Sequence, residues 1–449
     1  MTRVPLCLGI TALLAITYVP ARAEDVPRYQ LSVGQEIQYQ GTSDFKYESG
    51  SFHTDSNWTA WVVRQNADGS WRVVLKSESK FTQSAGGRSL GGQTNTSLAW
   101  FDLFPDGKAP RNDSLGFSVE PTVVFAKLPD DPQARQNGWE APVAFGVIRY
   151  KAQPATDKAS EIVFTAQQVA PENEIYLMTN TSTIHFDPGR GLVIGNEQEQ
   201  SQGYGFKGTG HGSNSLTSVK TDDPAWTRQF DHESRAYFDA VADYQEKQQQ
   251  AQKDPAHAEG LVAEAEQVLK STRAKVTLPV LTKLLDDRLA AHAQTAKYVK
   301  DQAEHVAEVV DKPAADWTLS DLQGKSHSLK DFRGKVVVMD FWYRGCGWCI
   351  RAMPQINQLS QDLKDEPVAV LGMNTDEDQK DAQFVIDKMG LRYQTLRSGQ
   401  DLPEKYGVQG FPTLIIIDAQ GVVRDMHVGY SPDLRQQVEA TVRKLLGSV

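Results

Sequence analysis

Between Lys335 and Pro354 the chain reads KVVVMDFWYRGCGWCIRAMP, and this stretch limits the possible folds more than any other. Val336, Val337, Val338 and Met339, then Phe341 after a single acid, form a run without polar alternation, the pattern of a strand buried on both faces. Gly345-Cys346-Gly347-Trp348-Cys349 breaks the run, and Ile350 to Met353 opens a helical segment. A strand that delivers a Cys-x-x-Cys to the start of a helix has a definite chemical use. The unpaired N–H groups and the dipole of the first turn stabilise an anion. They favour the thiolate of Cys346 over its thiol, and the thiolate is the nucleophile of disulfide exchange. Cys349, one helical turn further on, is within reach to close the ring and expel a bound partner.

A lone Cys-x-x-Cys is equally half of a zinc site, but no second ligand pair accompanies this one. His53, His185 and His211 stand far apart, without HxxH or HExxH spacing, so no metal is expected. Further residues add to the motif. Asp340 precedes Phe341-Trp342, Pro354 lies five residues after Cys349, and Gly410-Phe411-Pro412-Thr413 leads into the apolar run Leu414 to Ile417. Upstream stand Trp317-Thr318-Leu319 through Leu322, Gly324-Lys325 and Gly334-Lys335. In these residues the C-terminal part of the chain resembles the thioredoxin superfamily, and more closely its extracytoplasmic thiol–disulfide oxidoreductases of the TlpA/ResA type.

The resemblance implies an α/β thioredoxin-like domain over residues 313–449, with Cys346 as attacking and Cys349 as resolving cysteine. It implies that Asp340 is buried beneath the pair and accepts the proton of Cys349; burial should raise the pKa of that carboxyl group. It also implies a cis Pro412 that sets the Phe411 backbone opposite Cys346, where a substrate peptide could pair strand-fashion. Trp348 and Trp342 would give the site an apolar rim, although Trp342 reads as part of the packing. No cofactor is implied beyond the redox-active disulfide Cys346–Cys349. The implied partners are disulfide-bearing proteins as substrates and a membrane thiol carrier as electron donor. Reduction is the preferred direction, with oxidation and isomerisation open.

Three departures stand out. Trp348 replaces the Pro or His common before the second cysteine, and Arg344 replaces an often uncharged residue, where it could itself favour the thiolate. The basic residue that accompanies the buried acid in many thioredoxins is not evident near Gly372-Met373-Asn374. A peroxiredoxin-type Thr-x-x-Cys is disfavoured, because Tyr343 stands three residues before Cys346.

A chain of 449 residues exceeds one ordinary core, so a multidomain protein of two or three domains is expected. Its net charge of −10, with the positive residues scattered, argues against nucleic acid as a partner. Residues 1–23 read as a secretory signal peptide: Arg3, the apolar segment Leu6 to Val19, then Ala21-Arg22-Ala23, with cleavage expected after Ala23. A retained membrane anchor is the alternative, although the apolar segment is short for a span. A periplasmic or cell-envelope location follows, and Cys7 leaves with the peptide. The remaining pair, Cys346 and Cys349, closes almost no loop and so can stabilise little, which leaves reaction as its use.

Residues 24–230 read as an all-β domain, a sandwich or partly open barrel. Trp58 to Arg64 and Ser70 to Ser77 flank a turn at Asn66-Ala67-Asp68-Gly69, and Glu161 to Val169, Glu174 to Phe186 and Leu192 to Gln198 repeat the pattern. The sequence does not say what this domain binds. Residues 231–312 read as an α-helical linker of two or three helices, with starts at Asp254-Pro255 and Thr277-Leu278-Pro279. An Ala-rich, irregular apolar stripe from Leu281 to Val310 favours helices docked on a neighbour over a coiled coil. A competing reading makes the β-domain a ligand- or envelope-binding unit with the thioredoxin-like domain as accessory.

Overall fold

The computed structural model describes residues 26–86, 88–110, 124–143, 147–154, 161–169, 178–202 and 207–447. The segment 1–23, read above as a signal peptide, lies outside them. Among the described residues no helix is long and apolar enough to cross a membrane.

The N-terminal half consists of β1 (Gln35–Tyr47), β2 (Gly50–Gln65), β3 (Trp71–Ala85), β4 (Arg88–Leu103), the short helix α1 (Pro132–Asn137), β5 (Trp139–Pro142), β6 (Val147–Ala152), β7 (Ile162–Val169), β8 (Met178–Asp187), β9 (Leu192–Gln202) and β10 (Gly208–Thr221). The expected sandwich is corrected: among the described residues there is one ten-stranded sheet, ordered β4-β3-β2-β1-β10-β9-β8-β7-β6-β5. Every neighbouring pair is antiparallel, and pairing of β1 with β10 joins the two meanders in the middle. Ile37, Tyr39, Val62 and Leu75 from one half share a single apolar core with Phe164, Ile184 and Phe186 from the other. One sheet can fill both sides of a core only by curling, so of the two expected shapes the partly open barrel is nearer. Tyr29 fills the middle, edge-on to Phe125 and Phe186 with ring centroids 5.6 Å away in each case.

Alternate residues of the same strands, Trp61, Val63 and Val74, face the other way and meet helices. These are α2 (Pro224–Lys253), α3 (Ala258–Arg273) and α4 (Pro279–Val309). Helix α2 begins before the expected position 231, because Asp223 caps it by accepting the N–H groups of Ala225 and Trp226. The expected start at Asp254-Pro255 is also corrected. Asp254 closes α2, donating its backbone N–H to Gln250, and α3 begins only at Ala258. Helix α4 starts at Pro279, where the buried Glu233 of α2 accepts the N–H groups of Thr277 and Leu278 at 2.9 Å each. Phe230, Tyr237, Val241, Leu281 and Leu285 then cover the outer face of the sheet.

The C-terminal part runs β11 (Thr318–Asp321), β12 (Ser326–Ser328), a 3-10 turn (Leu329–Phe332), β13 (Val336–Trp342), α5 (Gly347–Asp362), β14 (Val368–Asn374), α6 (Gln379–Met389), β15 (Gln394–Arg397), α7 (Asp401–Lys405), β16 (Thr413–Ile417), β17 (Val423–Val428) and α8 (Leu434–Leu446). The sheet order is β12-β11-β15-β14-β13-β16-β17, with β13 parallel to β14 and antiparallel to β16. All seven residues of β13 are buried, as a central strand with both faces covered requires. Val337, Met339 and Phe341 enter one core with Trp317, Tyr406 and Ile415, while Val336 and Val338 pack with Ala352 and Ile356 of α5.

The last turn of α4 belongs to the first of these cores, because Val306 packs there against residues of β13 and β16. Val306→Ala should therefore destabilise the C-terminal domain by about 2 kcal/mol. Amide exchange of the β13 residues in the whole protein measures this, and protection equal to that of the parent would contradict the shared core.

Candidate active site

Strand β13 ends at Trp342, and a turn in which Cys346 N–H donates to the Tyr343 carbonyl at 3.1 Å reverses the chain into α5. Gly345 makes the turn possible: a Cβ there would come within 2.9 Å of the Tyr343 ring. Cys346 occupies the N-cap of α5, and its Sγ accepts the N–H of Cys349 at 3.1 Å. A sulfur thus stands where Ser or Asp commonly caps a helix, with the first-turn dipoles aimed at it. The two cysteines form a disulfide. They differ in access, since Cys346 is 5% exposed and Cys349 0%, so an incoming partner meets Cys346 first.

Alternation along β13 puts Asp340 on the same face as Val338 and Trp342, under the beginning of α5. The carboxyl is buried, and burial raises its pKa to about 7. One interaction works against that shift: the Tyr393 hydroxyl donates to Oδ2 at 3.0 Å. The other oxygen, Oδ1, has no hydrogen-bond partner among the described residues, and neither do Trp342 Nε1 and Thr395 Oγ1.

Tyr393 was not legible as a site residue. It lies 53 positions from Asp340, just before β15, whereas the sequence directs attention to Gly372-Met373-Asn374. Gly372 was the usable signal. It pairs with Asp340 across the sheet, and a Cβ there would stand 2.8 Å from Trp342 Nε1 and 3.1 Å from Tyr393 Cε2. A glycine inside a buried strand marks a close approach, here by the tyrosine ring.

The Phe411–Pro412 peptide bond is cis, and Phe411 packs against the cluster of Trp342, Cys346 and Cys349. It meets Tyr343 edge-on at 5.2 Å. Two residues upstream, Gln409 Oε1 accepts from Gln302 Nε2 of α4 at 2.7 Å, and its amide also contacts His305. Trp348 is 36% exposed, stacks on Tyr430 with centroids 5.6 Å apart, and carries the Arg351 guanidinium over its ring. Trp342 is fully buried and belongs to the packing, while exposed Tyr343 and Phe384 stand at the surface. The Arg344 guanidinium pairs with Asp381 and lies over Phe384 of α6 at 4.2 Å, while its backbone N–H donates to the Asp376 carboxylate.

Among the described residues no group of three or more His, Cys, Asp or Glu side chains could hold a metal ion. His53 pairs with Asp44, and His185 with Glu161.

The similarities to known proteins concern the C-terminal part of the chain. The Redoxin family model matches residues 309–444. Thiol-disulfide oxidoreductase ResA of Geobacillus thermodenitrificans is 33% identical over 146 residues, which cover 32% of this chain and 84% of that protein. Thioredoxin-like protein YneN of Bacillus subtilis is 32% identical over 119 residues, 26% of this chain and 69% of that one. Among solved structures, a putative thiol:disulfide interchange protein DsbE from Chlorobium tepidum aligns with a TM-score of 0.30 at 30% identity, covering 31% of this chain and 98% of its own.

Proposed function

Because the chain belongs, through its C-terminal domain, to the ResA-type thiol-disulfide oxidoreductases, we propose that it reduces protein disulfides outside the cytoplasm through Cys346 and Cys349. The carrying observation is the capping sulfur of Cys346, which accepts an N–H of the helix it begins and is the more accessible of the pair. In the dithiol form the Cys346 thiolate attacks a substrate disulfide. One sulfur of the substrate leaves as a thiolate, and the other is held in a mixed disulfide. Cys349 then loses its proton to the Asp340 carboxylate and attacks Cys346 Sγ. The bond to the substrate breaks, the Cys346–Cys349 disulfide forms, and the second substrate sulfur departs with the electron pair. The substrate has gained two electrons and the protein has lost two. A dithiol donor, here proposed to be a membrane thiol carrier, restores the pair by the same exchanges in reverse.

Phe411, Pro412 and Trp348 would receive the substrate. An extended peptide fits beside the Phe411 backbone, and an apolar side chain fits against the half-open Trp348 ring. Trp348→Ala should raise KM for a protein disulfide about tenfold and change kcat less than twofold, as loss of an aromatic anchor does. Steady-state kinetics on a disulfide-bearing protein measures this; a kcat loss at constant KM would place Trp348 in the chemical step instead.

Insulin reduction by the whole protein, with Cys346→Ser as control, tests the activity, and the reduction potential of the pair tests its direction. A value near or below that of thioredoxin, about −270 mV, supports a reductase, and one near about −120 mV an oxidant.

A second role for the N-terminal half is favoured by one observation. On the inner face of the curled sheet, above its apolar core, stand Phe45, Phe52 and Phe81, with Asn196 bonded to Asn214, while the charges Asp44, Lys46, Asp55, Glu78, Glu197 and Glu199 fall on alternate positions. An uncharged concave face suits capture of a neutral ligand. Insulin reduction unchanged by Phe52→Ala would separate such capture from the redox chemistry.

A further inference from the structure

Tyr393 holds the Asp340 carboxyl by one oxygen and leaves the other without a partner. The tyrosine is itself buried, in the core that also holds Ala352, Ile356 and Leu359 of α5 and Leu414 of β16. The other surroundings of Asp340 offer no charge. Strand β14 presents Gly372, β16 presents Leu414, β15 presents Thr395, and the titratable groups at the start of α5 are Cys346 and Cys349. Where many thioredoxins are expected to carry a basic partner for the acid, this chain has a neutral phenol.

We propose that Tyr393 is a positioning residue for resolution of the mixed disulfide: by binding Oδ2 it orients the carboxylate and makes Oδ1 the acceptor of the Cys349 proton. The inference rests on the reading of Asp340 as the base. In this step the S–H bond of Cys349 breaks and an O–H bond forms at Oδ1. The sulfur keeps the electron pair and uses it against Cys346 Sγ, and the departing substrate thiolate later takes a proton from water. The phenol moves no proton of its own. It discriminates between the two states of the base, because a hydrogen bond to a carboxylate is stronger than one to a neutral carboxyl group. Without it, Asp340 holds its proton to higher pH and fewer molecules carry a competent base.

The test follows Asp340 directly, by carboxyl-selective infrared or carbon NMR titration of the oxidised whole protein, together with the pH profile of mixed-disulfide release in the reduced one. In Tyr393→Phe the Asp340 midpoint should rise by about one pH unit. Release should slow by up to about tenfold near pH 6.5 and converge on the parent rate above about pH 9. Thr395→Val, which alters the neighbouring polar atom without touching Asp340, should leave both unshifted. Gly372→Ala, whose methyl would crowd Trp342 Nε1 and Thr395 Oγ1 as well as the Tyr393 ring, should shift the midpoint in the direction of Tyr393→Phe. An Asp340 midpoint unmoved in Tyr393→Phe, or a release rate lowered equally at every pH, overturns the inference. The titration needs no turnover, so failure of the parent protein to reduce insulin would count against the proposed function alone.

Discussion

Asp340→Asn is expected to make the oxidised protein more stable above pH 7 while slowing disulfide exchange at least tenfold. Burial raises the pKa of the carboxyl to about 7 in the folded protein, against 3.8 for the free side chain. A group whose folded pKa is raised contributes its full stability below the unfolded value, and that contribution is lost as pH rises through the folded one. The unfolded chain gives up the proton from about pH 4, whereas the folded chain keeps it until about pH 7. At pH 8 the difference amounts to about 4 kcal/mol of lost stability. Asparagine cannot ionise and still accepts from Tyr393, but one buried amide N–H without a partner costs about 1–3 kcal/mol. The net gain should be about 2 kcal/mol at pH 8 and vanish or change sign at pH 4. Urea unfolding at both pH values measures it. An equal effect at the two would mean that Asp340 does not titrate as a buried acid.

Cys346→Ser should abolish turnover, a loss of at least about a thousandfold, whereas Cys349→Ser should trap substrates covalently. The two variants differ because access differs: Cys346 retains an exposed edge and Cys349 has none. Incubated with disulfide-bearing protein, Cys349→Ser should accumulate a mixed disulfide at Cys346, seen by mass spectrometry, and Cys346→Ser should accumulate none. Equal trapping by both variants would dissolve the assignment of attacking and resolving roles.

What could be read from the sequence was local. Five apolar residues around Asp340 predicted a doubly buried strand, and Gly-Cys-Gly predicted the chain's turn into a helix, because each depends on neighbours a few positions away. The stop of α6 at Gly390, which adopts a left-handed φ of 60°, is a local feature of the same kind. Contacts between distant positions were legible only where the family resemblance implied them, as for Phe411 beside Cys346. Arg344 looked like a charge beside the motif, yet its partner Asp381 belongs to a helix packed there by the fold. Tyr393 carries no signal of its own, and only the glycine opposite Asp340 hinted at something large nearby. The N-terminal sheet shows a similar limit. Alternation along Trp71, Val73 and Leu75 says that one face is covered, but not whether a second sheet or the same sheet, curled, does the covering. The start of α2 was missed because Asp223-Pro224 follows directly on a polar strand, although those two residues are themselves a cap signal.

The proposed function needs Cys346 as a thiolate at neutral pH, and the rate of alkylation against pH in the reduced protein measures this directly. Cys349 is sealed, and fragmentation of the peptide that carries both cysteines identifies the modified sulfur. Half-maximal reactivity well below the ordinary cysteine value of about 8.5 is the expected result. A midpoint at or above about 8.5 would contradict an anion held by the first turn of α5.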